Sequence, residues 1–125
     1  MAFGGSGNDQ YKLKRWDKPE IFEPDYTEKT DGRVYEISDK GVEGDIFCAG
    51  HAFLPDGKLL VAGGTYKYDG LSGLFPPFSG LEHTYIFDPK DHSWTHVQDM
   101  EHGRWYPTCV MLGDGRIAPF IKVIL

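Results

Sequence analysis

A turn motif that occurs twice sets the strongest constraint on how this chain of 125 residues folds. The segment Pro55-Asp56-Gly57-Lys58-Leu59 aligns with Gly113-Asp114-Gly115-Arg116-Ile117, and the two glycines are 58 residues apart. Each Asp-Gly pair lies between short apolar runs, which favours a tight hairpin because glycine accepts the left-handed conformation that such turns need. A hairpin that recurs at a fixed interval indicates a fold built from repeated β units.

Between the two turns, short runs of β-branched and aromatic residues alternate with turn signals. Gly63-Gly64 and Asp88-Pro89 are the clearest of these signals, and no segment has strong helical periodicity. We predict four strands that form one antiparallel sheet, at residues 51–54, 58–62, 84–87 and 93–97.

Charge and hydropathy exclude some classes of partner. The chain has 13 basic and 19 acidic residues, a formal net charge of −6 and no basic cluster, so a nucleic acid is not an expected partner. No stretch approaches the roughly 18 apolar residues of a membrane span. The opening MAFGGSGND lacks the basic and apolar regions of a signal peptide, so we expect none here and assign no location.

The residues that precede the two repeated hairpins differ in an informative way. At the same separation, Cys48 aligns with Tyr106. Equivalent positions in adjacent repeat units lie side by side, so we predict that these two side chains are neighbours. A thiol beside a phenol is an arrangement in which a copper centre can couple cysteine sulfur to a tyrosine ring carbon.

Several motifs together resemble a known family. The four-strand unit, the Gly-Gly after its second strand and Trp94 in its fourth resemble the kelch repeat of β-propellers. The segments DIFCAGH (Asp45–His51) and GRWYPT (Gly103–Thr108), with the LPDGK hairpin between them, resemble the kelch-propeller copper radical oxidases. The resemblance is nearer to glyoxal oxidase and its bacterial relatives than to galactose oxidase, and it covers roughly Gly44 to Ile117.

The resemblance implies an all-β fold, a partial kelch-type β-propeller with about two blades of four-stranded antiparallel sheets. Residues 1–40 would hold the outer strands of a preceding blade, because Ile21-Phe22-Glu23-Pro24 echoes Ile86-Phe87-Asp88-Pro89. Residues 41–117 would form one blade and the first strand of the next. The tail, 118–125, is atypical because Pro119 stands where a strand donor is expected, and residues 66–81 form an inserted apolar loop rich in glycine and proline.

The resemblance also implies a chemistry. Cys48 and Tyr106 would be the catalytic pair, joined by a thioether, and Tyr106 would also bind copper as the metal ligand and cofactor contact. A full-length relative would oxidise an aldehyde or primary alcohol with dioxygen and release hydrogen peroxide. The family's further ligands, a tyrosine adjacent to a histidine and a C-terminal histidine, have no counterpart in this sequence, which contains no Tyr-His pair. Because copper(II) generally takes about four ligands, we expect that this chain by itself forms no competent oxidase site.

The alternative is a non-catalytic kelch-repeat binding module or a truncated product without activity. In that case Cys48 is a small buried side chain and Tyr106 a packed aromatic. Exposed strand edges at both ends would favour self-association.

Other candidate residues carry weaker signals. We expect Cys109 to pack in the core, and a disulfide between Cys48 and Cys109 is only weakly motivated. His92 and His96 have the spacing of a helical metal pair but lie in a predicted turn and strand, so we do not expect them to bind metal together. Arg104 either shapes the site or anchors the junction between units through backbone carbonyls.

Overall fold

The computed structural model describes residues 20–23, 33–38, 40–68 and 78–121. Across these residues the chain is all-β, its paired strands are antiparallel and it contains no helix. The strands are β1 (Glu20–Glu23), β2 (Arg33–Glu36), β3 (Gly50–Phe53), β4 (Leu59–Ala62), β5 (Thr65–Tyr68), β6 (Phe78–Gly80), β7 (Thr84–Asp88), β8 (Ser93–His96), β9 (Thr108–Met111) and β10 (Ile117–Phe120).

A four-stranded sheet in the order β3-β4-β7-β8 forms the centre of the structure. It confirms the predicted sheet of four strands. Every observed strand end lies within one residue of the predicted end. In its register Val61 lies opposite both His51 and Tyr85, and Phe87 lies opposite both Leu59 and Trp94. Because directly opposed residues project to the same side, these side chains share one face of the sheet.

That face carries the hydrophobic core. Tyr85 and Phe87 are the largest fully buried side chains, and the segment that precedes β3 covers them. The Tyr85 hydroxyl donates a hydrogen bond to the carbonyl oxygen of Glu43 and accepts one from the backbone N–H of Glu43. These bonds connect the covering segment to the sheet. The buried residues of the core cluster are Ile37, Ile46, Leu59, Val61, Tyr85, Phe87 and Trp94.

The two repeated turns have the same structure. Leu54 N–H donates to the Lys58 carbonyl at 2.8 Å, and Leu112 N–H donates to the Arg116 carbonyl at 2.8 Å. In each turn the aspartate side chain accepts a hydrogen bond from the backbone N–H two residues later, at 3.1 Å. The turn glycines have φ values of 87° and 84°. The sequence repeat is therefore a structural repeat as well.

The hairpin formed by β9 and β10, which we call the C-terminal hairpin, contacts β3 on the side opposite the core. Gly50 permits this contact, because a Cβ at that position would lie 2.3 Å from the carbonyl oxygen of Pro107 and 3.0 Å from Cys109 Sγ. Alternation along β3 places Gly50 on the face opposite His51 and the core. The second repeated hairpin thus packs beside the first.

In two places the structure differs from the sequence-based expectation. Strand β10 continues to Phe120, past the predicted boundary at 117, with Pro119 opposite Cys109. Proline is tolerated because β10 pairs only with β9 among the described residues and therefore has a free edge. The predicted loop at 66–81 contributes to strands at both ends, β5 and β6, which pair with each other.

The N-terminal part is described only in part. Strands β1 and β2 form an antiparallel pair, with Ile21 in β1, while Pro24 lies outside the described residues. The assignment of these strands to a preceding blade stays a prediction.

Candidate functional site

Two groups of reactive side chains lie at the same end of the sheet. Cys48 immediately precedes β3, and Tyr106 has the same position before β9. His83 precedes β7, and His96 ends β8. In the antiparallel sheet the start of β3, the end of β4, the start of β7 and the end of β8 all lie at this end.

The predicted contact between Cys48 and Tyr106 is confirmed. The backbone N–H of Tyr106 donates to the carbonyl oxygen of Cys48 at 2.8 Å. The Cys48 side chain beside it raises the pKa of the Tyr106 phenol above its ordinary value. The phenol is therefore protonated near neutral pH.

Both residues have an unusual backbone conformation. Cys48 has a φ of 68° and Tyr106 a φ of 55°, in the left-handed region that non-glycine residues rarely occupy. The surrounding structure imposes this strain, since the Ala49 N–H closes a turn onto Ile46 beside Cys48 and the Tyr106 N–H is bonded to Cys48 itself. Strained backbone at two aligned positions that touch each other is a pattern typical of functional sites.

The surroundings of Tyr106 leave it accessible. Its side chain is 60 % exposed, and the Trp105 ring covers one side in an edge-to-face arrangement with ring centroids 4.7 Å apart. Hydrogen bonds hold Arg104 in place. Its side chain donates to the His102 carbonyl at 2.9 Å, its backbone N–H donates to the Leu81 carbonyl, and its carbonyl accepts from the Gly64 N–H. The site is thus an exposed phenol on a firmly held backbone.

The two cysteines are both free thiols and differ in environment. Cys48 contacts Tyr106, whereas Cys109 packs against Gly50 at the junction between β3 and the C-terminal hairpin. Burial raises the pKa of the Cys109 thiol. A partly buried thiol with a raised pKa is less reactive than a thiolate. The expectation that Cys109 packs in the core is wrong, because the residue lies half-buried at this junction and outside the core cluster.

The contacts found for Tyr106 supply two candidate copper ligands. Cys48 and Trp105 lie beside Tyr106, and indole is not a metal ligand. Copper(II) generally takes about four ligands, of which this pair supplies one phenolate oxygen and one sulfur. The expectation that this chain by itself forms no competent oxidase site stays a prediction.

A second group of side chains was not predicted from the sequence. His83 Nδ1 lies 3.3 Å from Asp99 Oδ1, and His96 Nε2 lies 2.7 Å from the same oxygen. Hydrogen bonding from His96, and then from His83, lowers the pKa of the Asp99 carboxyl. The register that pairs Tyr85 with His96 could have revealed this group, because His83 is two residues before Tyr85 and therefore on the same face.

The histidine pair considered in the sequence does not form a metal group. His92 stacks on Phe87, with ring centroids 6.2 Å apart, while His96 contacts His83 and Asp99. The strand geometry thus separates two residues that a helix would have brought together.

Comparison with known proteins adds no family assignment. No protein-family model matches the chain, and no curated protein matches it significantly. Among the residues that the structure describes, no helix is long and apolar enough to cross a membrane.

Proposed function

We propose that this chain is part of a kelch-type β-propeller related to the copper radical oxidases, and that Cys48 and Tyr106 are its redox pair. The observation that carries the proposal is the backbone contact between Cys48 and Tyr106, at aligned positions of the two repeated hairpins, with the Cys48 side chain close enough to raise the pKa of the phenol. The left-handed backbone at both positions supports it, because such strain persists where a specific geometry is required.

The pair can form a thioether. A bond would form between Cys48 Sγ and a ring carbon of Tyr106 next to the hydroxyl group. The thiol hydrogen and the ring hydrogen would leave as two protons and two electrons, which dioxygen accepts to give hydrogen peroxide. An alkylthio substituent donates electron density to the phenol and lowers its oxidation potential, so the cross-linked tyrosine would hold an unpaired electron more readily. Trp105 would shield one side of that ring.

The proposed reaction of the full-length protein is the oxidation of a small carbonyl or hydroxyl compound. A primary alcohol and dioxygen would give an aldehyde and hydrogen peroxide, and an aldehyde with water and dioxygen would give a carboxylic acid and hydrogen peroxide. Copper would supply one-electron chemistry with dioxygen when bound. Tyr106 would be one of its ligands, and the other ligands would have to come from residues that do not contact Tyr106 here.

The test is the intact mass of the chain before and after loading with copper(I) in air, followed by peptide mapping. We expect a loss of two hydrogen atoms, with the Cys48 and Tyr106 peptides joined. Cys48→Ser and Tyr106→Phe should each abolish the change. Two matched controls, Cys109→Ser and Tyr66→Phe, should retain it, since Cys109 is a second free thiol and Tyr66 is a second exposed phenol.

A second candidate function is a non-catalytic kelch-repeat binding module. It is favoured by the sequence, which contains no counterpart of the family's Tyr-His ligand pair. In that case the mass stays unchanged and Cys48 reacts with a thiol reagent after copper treatment as before it. That outcome would contradict the redox role while leaving the repeat architecture as proposed.

A further inference from the structure

We propose that His83, His96 and Asp99 form a binding site for a first-row divalent transition-metal ion of the zinc type. The three side chains each offer one ligand atom, and these atoms all lie within 4.8 Å of one another. The group lies at the end of the sheet where β7 begins and β8 ends, and it shares no residue with the Cys48–Tyr106 pair.

The distances suit a tetrahedral ion. Ligand atoms bonded to zinc at about 2.0–2.1 Å lie about 3.3–3.4 Å from one another in a tetrahedral arrangement. The distance from His83 Nδ1 to Asp99 Oδ1 is already 3.3 Å, and that from His96 Nε2 is 2.7 Å. Small rotations of two partly exposed rings would therefore complete the geometry, with the ion replacing the hydrogen bonds that now join the histidines to the carboxylate.

The backbone holds the three ligands in place. Val97 N–H donates to the Thr84 carbonyl at 2.9 Å, and Met100 N–H donates to the Glu82 carbonyl at 2.9 Å. These two bonds lie on either side of both Asp99 and His83, so the loop after β8 is fixed against the segment before β7. The ligands thus come from two chain segments that are joined independently of any metal.

A buried tyrosine supports both imidazole rings. The Tyr85 ring lies 4.9 Å from the His96 ring and 6.0 Å from the His83 ring, measured between centroids. Tyr85 itself is fully buried and bonded to the Glu43 backbone, so it gives the rings a rigid base. Preorganised ligands lose less side-chain freedom on binding, which favours affinity.

The donor set indicates the class of ion. Two imidazoles and one carboxylate suit zinc and neighbouring divalent transition metals better than calcium or magnesium, which prefer oxygen ligands. Three protein ligands leave a position for water or a further ligand. The side chains are 28 %, 34 % and 42 % exposed for His83, His96 and Asp99, so an ion can reach them.

The two sites are spatially distinct. His83 precedes β7 and Cys48 precedes β3, and these strands are separated by β4 in the sheet. Two strand spacings correspond to about 10 Å. A metal ion bound by His83, His96 and Asp99 would therefore share no ligand with the Cys48–Tyr106 pair, and this inference does not rest on the proposed function.

The test is calorimetric titration of the full chain with zinc chloride. We expect one zinc ion per chain, and an affinity at least about 10-fold weaker in His96→Ala and in Asp99→Asn. His102→Ala removes an exposed histidine that lies outside the cluster, and Cys48→Ser removes a thiol. Both of these variants should bind zinc as the unchanged chain does.

Cobalt(II) gives a second measurement that does not depend on affinity. The bound ion should show the visible absorption of a tetrahedral site, without the thiolate charge-transfer band that a cysteine ligand would add. Asp99→Asn preserves the shape of the side chain, so a folded variant with weakened binding would support the site. Absence of binding, equal binding by Asp99→Asn, or binding that requires Cys48 would overturn it.

Discussion

The hairpin of β3 and β4 and the C-terminal hairpin have the same turn but different surroundings. Both turns have an aspartate that accepts a backbone hydrogen bond and a glycine with positive φ, and both strands of each hairpin pair in the same way. Leu59 and Val61 of β4 are buried, whereas Met111 and Phe120 of the C-terminal hairpin are exposed.

This comparison shows that the turn structure has a local cause, whereas burial has a tertiary one. The turn depends on residues a few positions apart, so two similar sequences give two similar turns. Burial depends on neighbouring strands, and β4 has a partner on both sides while β10 pairs only with β9 among the described residues. The exposed apolar side chains of the C-terminal hairpin are Val110, Met111, Leu112, Phe120 and Ile121. In the proposed propeller a following strand or blade would cover them.

The largest expected effect on stability is the difference between alanine substitutions at two phenylalanines. Phe87 is 1 % exposed and packs against Trp94, whereas Phe120 is 57 % exposed. We expect Phe87→Ala to lower the free energy of unfolding by about 3–5 kcal/mol, because it leaves a cavity in the core. Phe120→Ala should change it by less than about 0.5 kcal/mol. Urea unfolding measures both, and similar losses would mean that the C-terminal hairpin is as well packed as the central sheet.

An intermediate effect on stability is expected at the junction between β3 and the C-terminal hairpin. Gly50→Ala would place a Cβ 2.3 Å from the Pro107 carbonyl oxygen, so β3 and the C-terminal hairpin would have to move apart. We expect a loss of about 1–3 kcal/mol in unfolding free energy. Gly113→Ala is the matched control, since no atom lies within 4 Å of its added Cβ, and it should be nearly neutral. If Gly50→Ala were neutral too, the two hairpins would not be packed as described.

The smallest expected effect is the difference in stability between a glycine and an alanine variant at each of the two cysteines. This difference should have opposite signs at the two positions. Cys48 has a positive φ, so Cys48→Gly should be more stable than Cys48→Ala by about 1 kcal/mol. Cys109 lies within β9, where glycine is unfavourable, so Cys109→Gly should be less stable than Cys109→Ala by about 0.5–1 kcal/mol. All four variants lack the thiol concerned, so each pair isolates the backbone. The same sign at both positions, measured by urea unfolding, would contradict the left-handed conformation of Cys48.

Much of the central sheet could be predicted from the sequence. Alternating β-branched and aromatic residues between Asp-Gly, Gly-Gly and Asp-Pro signals located four strands to within a residue or so at each end. The alignment of Cys48 with Tyr106 also predicted their contact, because successive units of a repeat pack side by side. The catalytic roles of the two residues stay a proposal.

The second site could not be found in this way. Spacing along the chain drew attention to His92 and His96, yet His96 approaches His83 and Asp99. That grouping depends on the register of β7 with β8 and on the path of the loop after β8, and a one-residue slip would have sent His96 to the other face.

The sequence by itself determined the turns, the strand pattern and the pairing of a cysteine position with a tyrosine position, since each depends on local conformational preference or on the repeat. Only the tertiary structure decided which strands acquire neighbours. Within the described part of the chain, it placed Pro119 in a strand with one pairing partner, made both ends of the inserted loop part of β5 and β6, and left the C-terminal hairpin exposed. These outcomes depend on contacts between distant segments, for which the linear pattern carries no separate signal.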